Sequence, residues 1–178
     1  MKSNHPLDLE QSFDQLYREN LRPLFQYLYS RVQDIHLAED LCSQTFISAF
    51  ESLDRLKSPD KFKPWLFTIA RNKANDHFRK LKRQPMLELD ENIATHPLQE
   101  PAENNNNKQD QQILLEQLFA RLKPAEQELL RLKLVAGLTF KDIATLLKNN
   151  ENNVKKSYYR LLERLQAQVE YDNENTTI

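Results

Sequence analysis

Five side chains between residues 65 and 83 carry the functional groups needed to hold a flexible polyanion. Trp65 is the only tryptophan of the chain, and Asn72, Asp76, Arg79 and Arg83 follow it in the segment FKPWLFTIARNKANDHFRKLKR, residues 62–83. At about 100° per residue these five fall within about 60° of one another on a helical wheel. Leu66, Phe67, Ile69, Ala70, Ala74, Phe78 and Leu81 take the other side. An indole stacks on a nucleobase for roughly 1–3 kcal/mol while neighbouring cations hold phosphates, so the stripe is equipped for single-stranded nucleic acid. The other reading of Trp65 is a ring packed on a neighbouring helix.

The charge of the chain is segregated. Residues 61–83 carry eight cations (Lys61, Lys63, Arg71, Lys73, Arg79, Lys80, Lys82 and Arg83) against Asp76 alone, a net +7, although the whole chain is at −1. Residues 88–110 carry six anions against Lys108, a net −5. A local cationic patch marks a polyanion site whatever the total charge. Enzymatic chemistry has no comparable footing. There is no Gly-rich phosphate loop, no His-Glu-x-x-His and no Cys-x-x-Cys, and His5, His36, His77 and His96 are scattered. No catalytic residue, metal site or cofactor is expected.

These groups must be positioned by helices. One glycine in 178 residues leaves little material for tight turns and bulges, which favours an all-α fold. Phe13, Leu16, Tyr17, Leu21, Leu24, Phe25, Leu28 and Val32 recur at steps of three and four, with Pro23 either kinking that helix or opening a second segment. Ala38, Leu41, Cys42, Thr45, Phe46, Ala49, Phe50, Leu53 and Leu56 make a second helix. Ser58-Pro59-Asp60 signals a turn, and Pro64 suits the first turn of a third helix that ends near Arg83. Three prolines, four consecutive asparagines and the acidic run then indicate a flexible linker. No run of about 18 apolar residues suggests a membrane span, and the N-terminus lacks the apolar core of a secretory signal. The lone Cys42 fits a reducing cytosol, so a cytoplasmic protein is expected.

Helical periodicity resumes near Ile113. Pro124 opens one helix and Gly137 closes it, and Thr139 with Asp142 caps the next. The asparagines at 149–153 separate that helix from a last one opening on Val154-Lys155-Lys156 and running through Tyr159-Arg160. This is helix-turn-helix spacing, in which the second helix enters the DNA major groove while Val154, Leu161 and Leu165 hold it to the core. The fold expected is two small all-α domains joined by a flexible acidic linker, the C-terminal one a helix-turn-helix. The boundaries are 10–84, 85–111 and 112–170.

In order, AEDLCSQTFISAF, the Trp-bearing basic helix, the acidic linker and the helix-turn-helix resemble a bacterial RNA polymerase sigma factor of the extracytoplasmic-function (ECF) subgroup of the sigma-70 family, which keeps regions 2 and 4 only. The resemblance implies that Glu39, Asp40 and Gln44 face core RNA polymerase, at the clamp coiled coil of its largest subunit, with the flap as a second contact. It implies that the region 2 helix recognises and opens the −10 element through Trp65, Arg71, Asn72, Asp76, Arg79, Lys80 and Arg83, with Phe62 in the preceding loop receiving a flipped base. It further implies that Asn153, Lys155, Lys156, Tyr159 and Arg160 meet the −35 element. Promoter DNA is the expected ligand, and an anti-sigma factor is the kind of regulator that such proteins have. Lys148-Asn149 stands where family members often have Gly-Val; either Lys148 takes the left-handed turn position or the turn shifts to Asn149. The alternative reading is a stand-alone helix-turn-helix DNA-binding regulator. It leaves the AEDL helix and the Trp-bearing helix without a role.

Overall fold

A computed structural model describes residues 6–56, 58–83 and 118–175, and among them every regular element is helical. The expected linker at 85–111 and the opening of the C-terminal domain at 112–117 lie outside the described residues. The chain divides into two compact units.

The N-terminal unit is three helices: α1 (Pro6–Val32), α2 (Ile35–Glu51) and α3 (Phe62–Arg83). α1 runs unbroken through Pro23, so the second segment, one of the two expectations for that residue, is not found. Two residues turn α1 into α2. Gln33 adopts a left-handed φ of 56°, its N–H donating to the Tyr29 carbonyl at 2.8 Å. Asp34 then caps α2, its Oδ1 accepting the Leu37 N–H at 2.8 Å. Short 3₁₀ turns at Leu53–Arg55 and Pro59–Lys61 lead into α3.

One apolar stripe from each helix makes the core: Leu24, Tyr27 and Leu28; Leu41, Cys42 and Phe46; Phe62, Leu66 and Phe67. Ala38, Ala49, Ala70 and Ala74 are fully buried, and their small side chains let the helices approach closely. Phe13 meets Phe62 and Phe46 edge-on at centroid distances of 6.0 and 6.5 Å. Burial pushes the Cys42 thiol up to about 11, so it stays protonated as a core atom. The stripes are narrower than periodicity alone suggests: Phe50 and Leu81, both in the apolar series of their helices, are exposed.

The C-terminal helices are α4 (Pro124–Leu130), followed by a π-helical turn (Arg131–Val135), α5 (Phe140–Leu147) and α6 (Glu151–Asn175). Gly137 lies just beyond the π turn at φ 63°, a left-handed conformation that suits glycine at a helix end. Thr139 caps α5, its Oγ1 accepting the Asp142 N–H at 3.1 Å. Glu126 accepts the Lys123 N–H at 3.0 Å and pairs with Arg164 of α6 at 2.9 Å. The Lys123 N–H, against the opposing push of burial and with help from Arg164, holds the Glu126 carboxyl below its ordinary range.

The turn between α5 and α6 resolves around Lys148. This residue takes the left-handed position, φ 54° and ψ 47°. The Asn149 N–H reaches back to the Ala144 carbonyl at 2.8 Å and the Lys148 N–H to Thr145 at 3.2 Å, a Schellman closure. Asn150 then caps α6, its Oδ1 accepting the Asn152 N–H at 2.8 Å. The last helix therefore opens at Glu151, three residues before the Val154 start expected from the sequence, and Asn152 and Asn153 belong to its first turn.

Candidate nucleic-acid and polymerase interfaces

On α3, burial of Phe62, Leu66, Phe67, Ala70 and Ala74 fixes the opposite side as the outward one. Trp65, Asn72, Asp76, Arg79 and Arg83 lie along it, a stripe about 27 Å long at 1.5 Å per residue. Asn72, Asp76, Arg79 and Arg83 are exposed and Trp65 is half-buried. Arg79 pairs with Asp76 one turn earlier. Lys80 is exposed on one flank and Arg71 half-buried on the other, so neither is in line with the stripe.

Phe62 does not fit the role expected of it. It is the first residue of α3 rather than part of a loop, and it is 1% exposed. Its ring packs against Phe13 at 6.0 Å and against Trp65 at 6.0 Å. A residue so enclosed cannot receive a base. What it does is pack edge-on beside the Trp65 ring, which is itself half-buried.

Two contributions could not be read from the sequence. Arg31, in the last turn of α1, donates from Nη2 to Asn75 Oδ1 of α3 at 2.7 Å and from Nη1 to the Tyr27 hydroxyl at 2.9 Å. It brings a cation beside an open groove lined by Asn75, Phe78, Arg79, Lys82 and Arg83. Phe78, on the apolar side of the wheel, lies half-buried along that groove.

On α2, Glu39, Asp40 and Gln44 are all exposed. Gln44 Nε2 donates to Asp40 Oδ2 at 2.7 Å, which ties these two into one polar unit. Glu39 lies about 100° around the helix from Asp40 and faces His36, with 3.8 Å between Oε2 and Nδ1. Ile47 continues the Asp40–Gln44 line and is 58% exposed. It stands outside the apolar period of α2, the one signal that could have marked it.

On α6, Val154, Tyr158 and Leu161 are buried against α5, with Phe140 meeting the Tyr158 ring at 5.3 Å. Asn153, Lys156, Tyr159 and Arg160 are exposed. Lys155 is half-buried and held to Glu151 at 2.8 Å, its ammonium 6.0 Å from the Phe140 ring. Tyr159 leans on Phe140 at 6.0 Å.

The surfaces on α2 and α3 lie in one matched stretch of the chain and that on α6 in another. The Sigma-70 region 2 family matches residues 16–84 and the Sigma-70 region 4 family matches residues 112–165. RNA polymerase sigma factor CarQ of Myxococcus xanthus is 30% identical over 137 residues, 77% of either chain. The chain belongs to the sigma-70 family of RNA polymerase sigma factors. Within that family it is of the ECF group: ECF RNA polymerase sigma factor SigM of Bacillus subtilis is 29% identical over 158 residues, 88% of this chain and 94% of that one. The fold also resembles the sigma factor RpoE of Bartonella quintana, solved with the anti-sigma factor NepR (TM-score 0.66, 24% identity, 90% of this chain and 98% of that one). The region 2 match accounts for the helices that the stand-alone regulator left idle, so that reading is set aside. As a sigma factor the chain acts with core RNA polymerase in promoter recognition and transcription initiation.

Proposed function

We propose the following division of labour within this sigma factor. Residues 10–84 act as region 2, 85–111 as a tether and 112–170 as region 4. The outward line of α2, with Asp40 and Gln44 linked and Glu39 beside them, docks on the clamp coiled coil of the polymerase's largest subunit. The outward stripe of α3 holds the non-template strand of the −10 element once the duplex opens. Trp65 stacks or wedges at the melting point, Arg79 and Arg83 grip phosphates, and Asn72 with Asp76 orients neighbours or reads a base edge. Lys80 and Arg71 add cations on the flanks. Unstacking costs a few kcal/mol per base step, and stacking on an aromatic ring returns roughly 1–3 kcal/mol of it.

The N-terminal half of α6 enters the major groove of the −35 element, and region 4 also meets the flap. The chain performs no bond chemistry of its own, works in the cytoplasm, and is held in reserve by an anti-sigma factor. The observation that carries this reading is the separation on α3 of a buried apolar side from an outward side of indole, amide and guanidinium groups. Runoff transcription tests it: the purified protein with bacterial core polymerase on a genomic promoter library should yield discrete start sites. Core polymerase that gains no new start sites would contradict it.

A further inference from the structure

The outward side of α6 carries more than the residues named so far. Because the helix opens at Glu151 and buries Val154, Tyr158 and Leu161, the direction opposite the buried side is occupied by Asn152 and Lys156. On a wheel these two lie within about 40° of each other and about 150–170° from the buried centre. Both are exposed. Among the described residues neither the Asn152 carboxamide nor the Lys156 ammonium has a hydrogen-bond or ion-pair partner; only the Asn152 backbone N–H is engaged, by Asn150. Lys155 differs. It sits about 100° away from Lys156, is half-buried, and is drawn along the helix flank by Glu151 and the Phe140 ring.

We propose that Asn152 and Lys156 are the base-reading pair of this sigma factor, selecting an adenine and a guanine in the −35 element, while Lys155 serves a phosphate. The inference rests on the placement of α6 in the major groove given above. A carboxamide presents a donor and an acceptor side by side, matching N7 and the N6 amino group of adenine. An ammonium suits the O6 and N7 acceptors of guanine. Four residues of helix rise advance about 6 Å, and base pairs step about 3.4 Å along each strand. The two purines should therefore be one or two base pairs apart. Asn152 is set apart from Asn153 by direction, since Asn153 points about 100° further round toward the flank.

The test uses holoenzyme assembled from the full chain and bacterial core polymerase, on a promoter whose −35 segment is randomised, with bound templates sequenced. Wild type should favour adenine at one position and guanine one or two base pairs away, each by roughly 5- to 140-fold. Asn152→Ala should flatten the adenine preference alone, and Asn152→Asp should move it toward cytosine, whose amino group a carboxylate accepts. Lys155→Ala should weaken binding to all sequences alike and reduce the salt slope by about one. Helicity by circular dichroism should be unchanged, since the capping contact uses the backbone of residue 152. If Asn152→Ala retained the wild-type preference, or lowered binding to every sequence equally, the inference would be overturned with the sigma-factor reading intact. A wild-type holoenzyme without preference anywhere in the segment would overturn it together with the major-groove placement of α6.

Discussion

Replacing Lys148 by glycine should stabilise the C-terminal helical unit. At φ 54° and ψ 47° the Lys148 Cβ crowds the following carbonyl, and among the described residues its exposed side chain has no hydrogen-bond or ion-pair partner to compensate. The left-handed conformation costs an L-residue about 1–2 kcal/mol. Glycine escapes that cost but loses about 0.4–1 kcal/mol through the greater freedom of its unfolded chain. The difference is about 0.8 kcal/mol in favour of Lys148→Gly. In a unit of this size 1 kcal/mol moves the melting midpoint by about 4–8 °C, so a rise of roughly 3–6 °C is expected. Lys148→Asn should do comparably, since asparagine tolerates the conformation without the added unfolded-state freedom. Scanning calorimetry of the full chain would follow the C-terminal transition. If Lys148→Gly left that midpoint unmoved while Asn149→Gly raised it, the left-handed residue would be Asn149. The path of the chain into α6 would then be wrong by one residue, and with it every direction assigned on that helix.

Asp40→Ala with Gln44→Ala should weaken binding to core polymerase without loss of helicity; unchanged affinity by fluorescence titration would remove α2 from the interface. Phe62→Ala should destabilise the N-terminal unit by about 3–5 kcal/mol in urea unfolding, because the ring is enclosed by Phe13 and Trp65; a stable variant defective only in promoter opening would restore Phe62 as a DNA contact. Glu126 has a folded carboxyl pKa below its ordinary 4.5, so its contribution is complete above that value and is lost as pH falls through the folded one. The C-terminal melting temperature should accordingly decline below about pH 4.5, and Glu126→Gln should be less stable at pH 7 with a flatter acid decline; superimposable curves would refute the contact.

The stripe on α3 was legible because a 3.6-residue period needs no knowledge of neighbours: Trp65, Asn72, Asp76, Arg79 and Arg83 share a side whatever that helix packs against. Its far end was not. Whether Phe62 belongs to a loop or opens the helix depends on the 3₁₀ turn at Pro59–Lys61, which aims the ring inward. Leu81 and Phe78 keep the apolar period, yet Leu81 is exposed and Phe78 only half-buried; periodicity tells direction and not depth. Arg31 reaches Asn75 across 44 residues of sequence, and only packing of α1 on α3 brings them together. The Schellman closure at Lys148 was half legible, since the turn was expected and the residue bearing its strain was left open. That closure and the Asn150 cap moved the start of α6 and added Asn152 to its outward side.

The central claim is that the outward side of α3 opens promoter DNA, and permanganate footprinting of holoenzyme carrying Trp65→Ala addresses it most directly. Trp65 is half-buried, with its ring against Phe62. The variant should therefore be checked first for native helicity and core-polymerase binding. It should then form the closed complex, fail to render the −10 thymines permanganate-reactive, and recover transcription on a template melted in advance over the −10 element. A folded variant that exposes those thymines as readily as wild type would contradict the account.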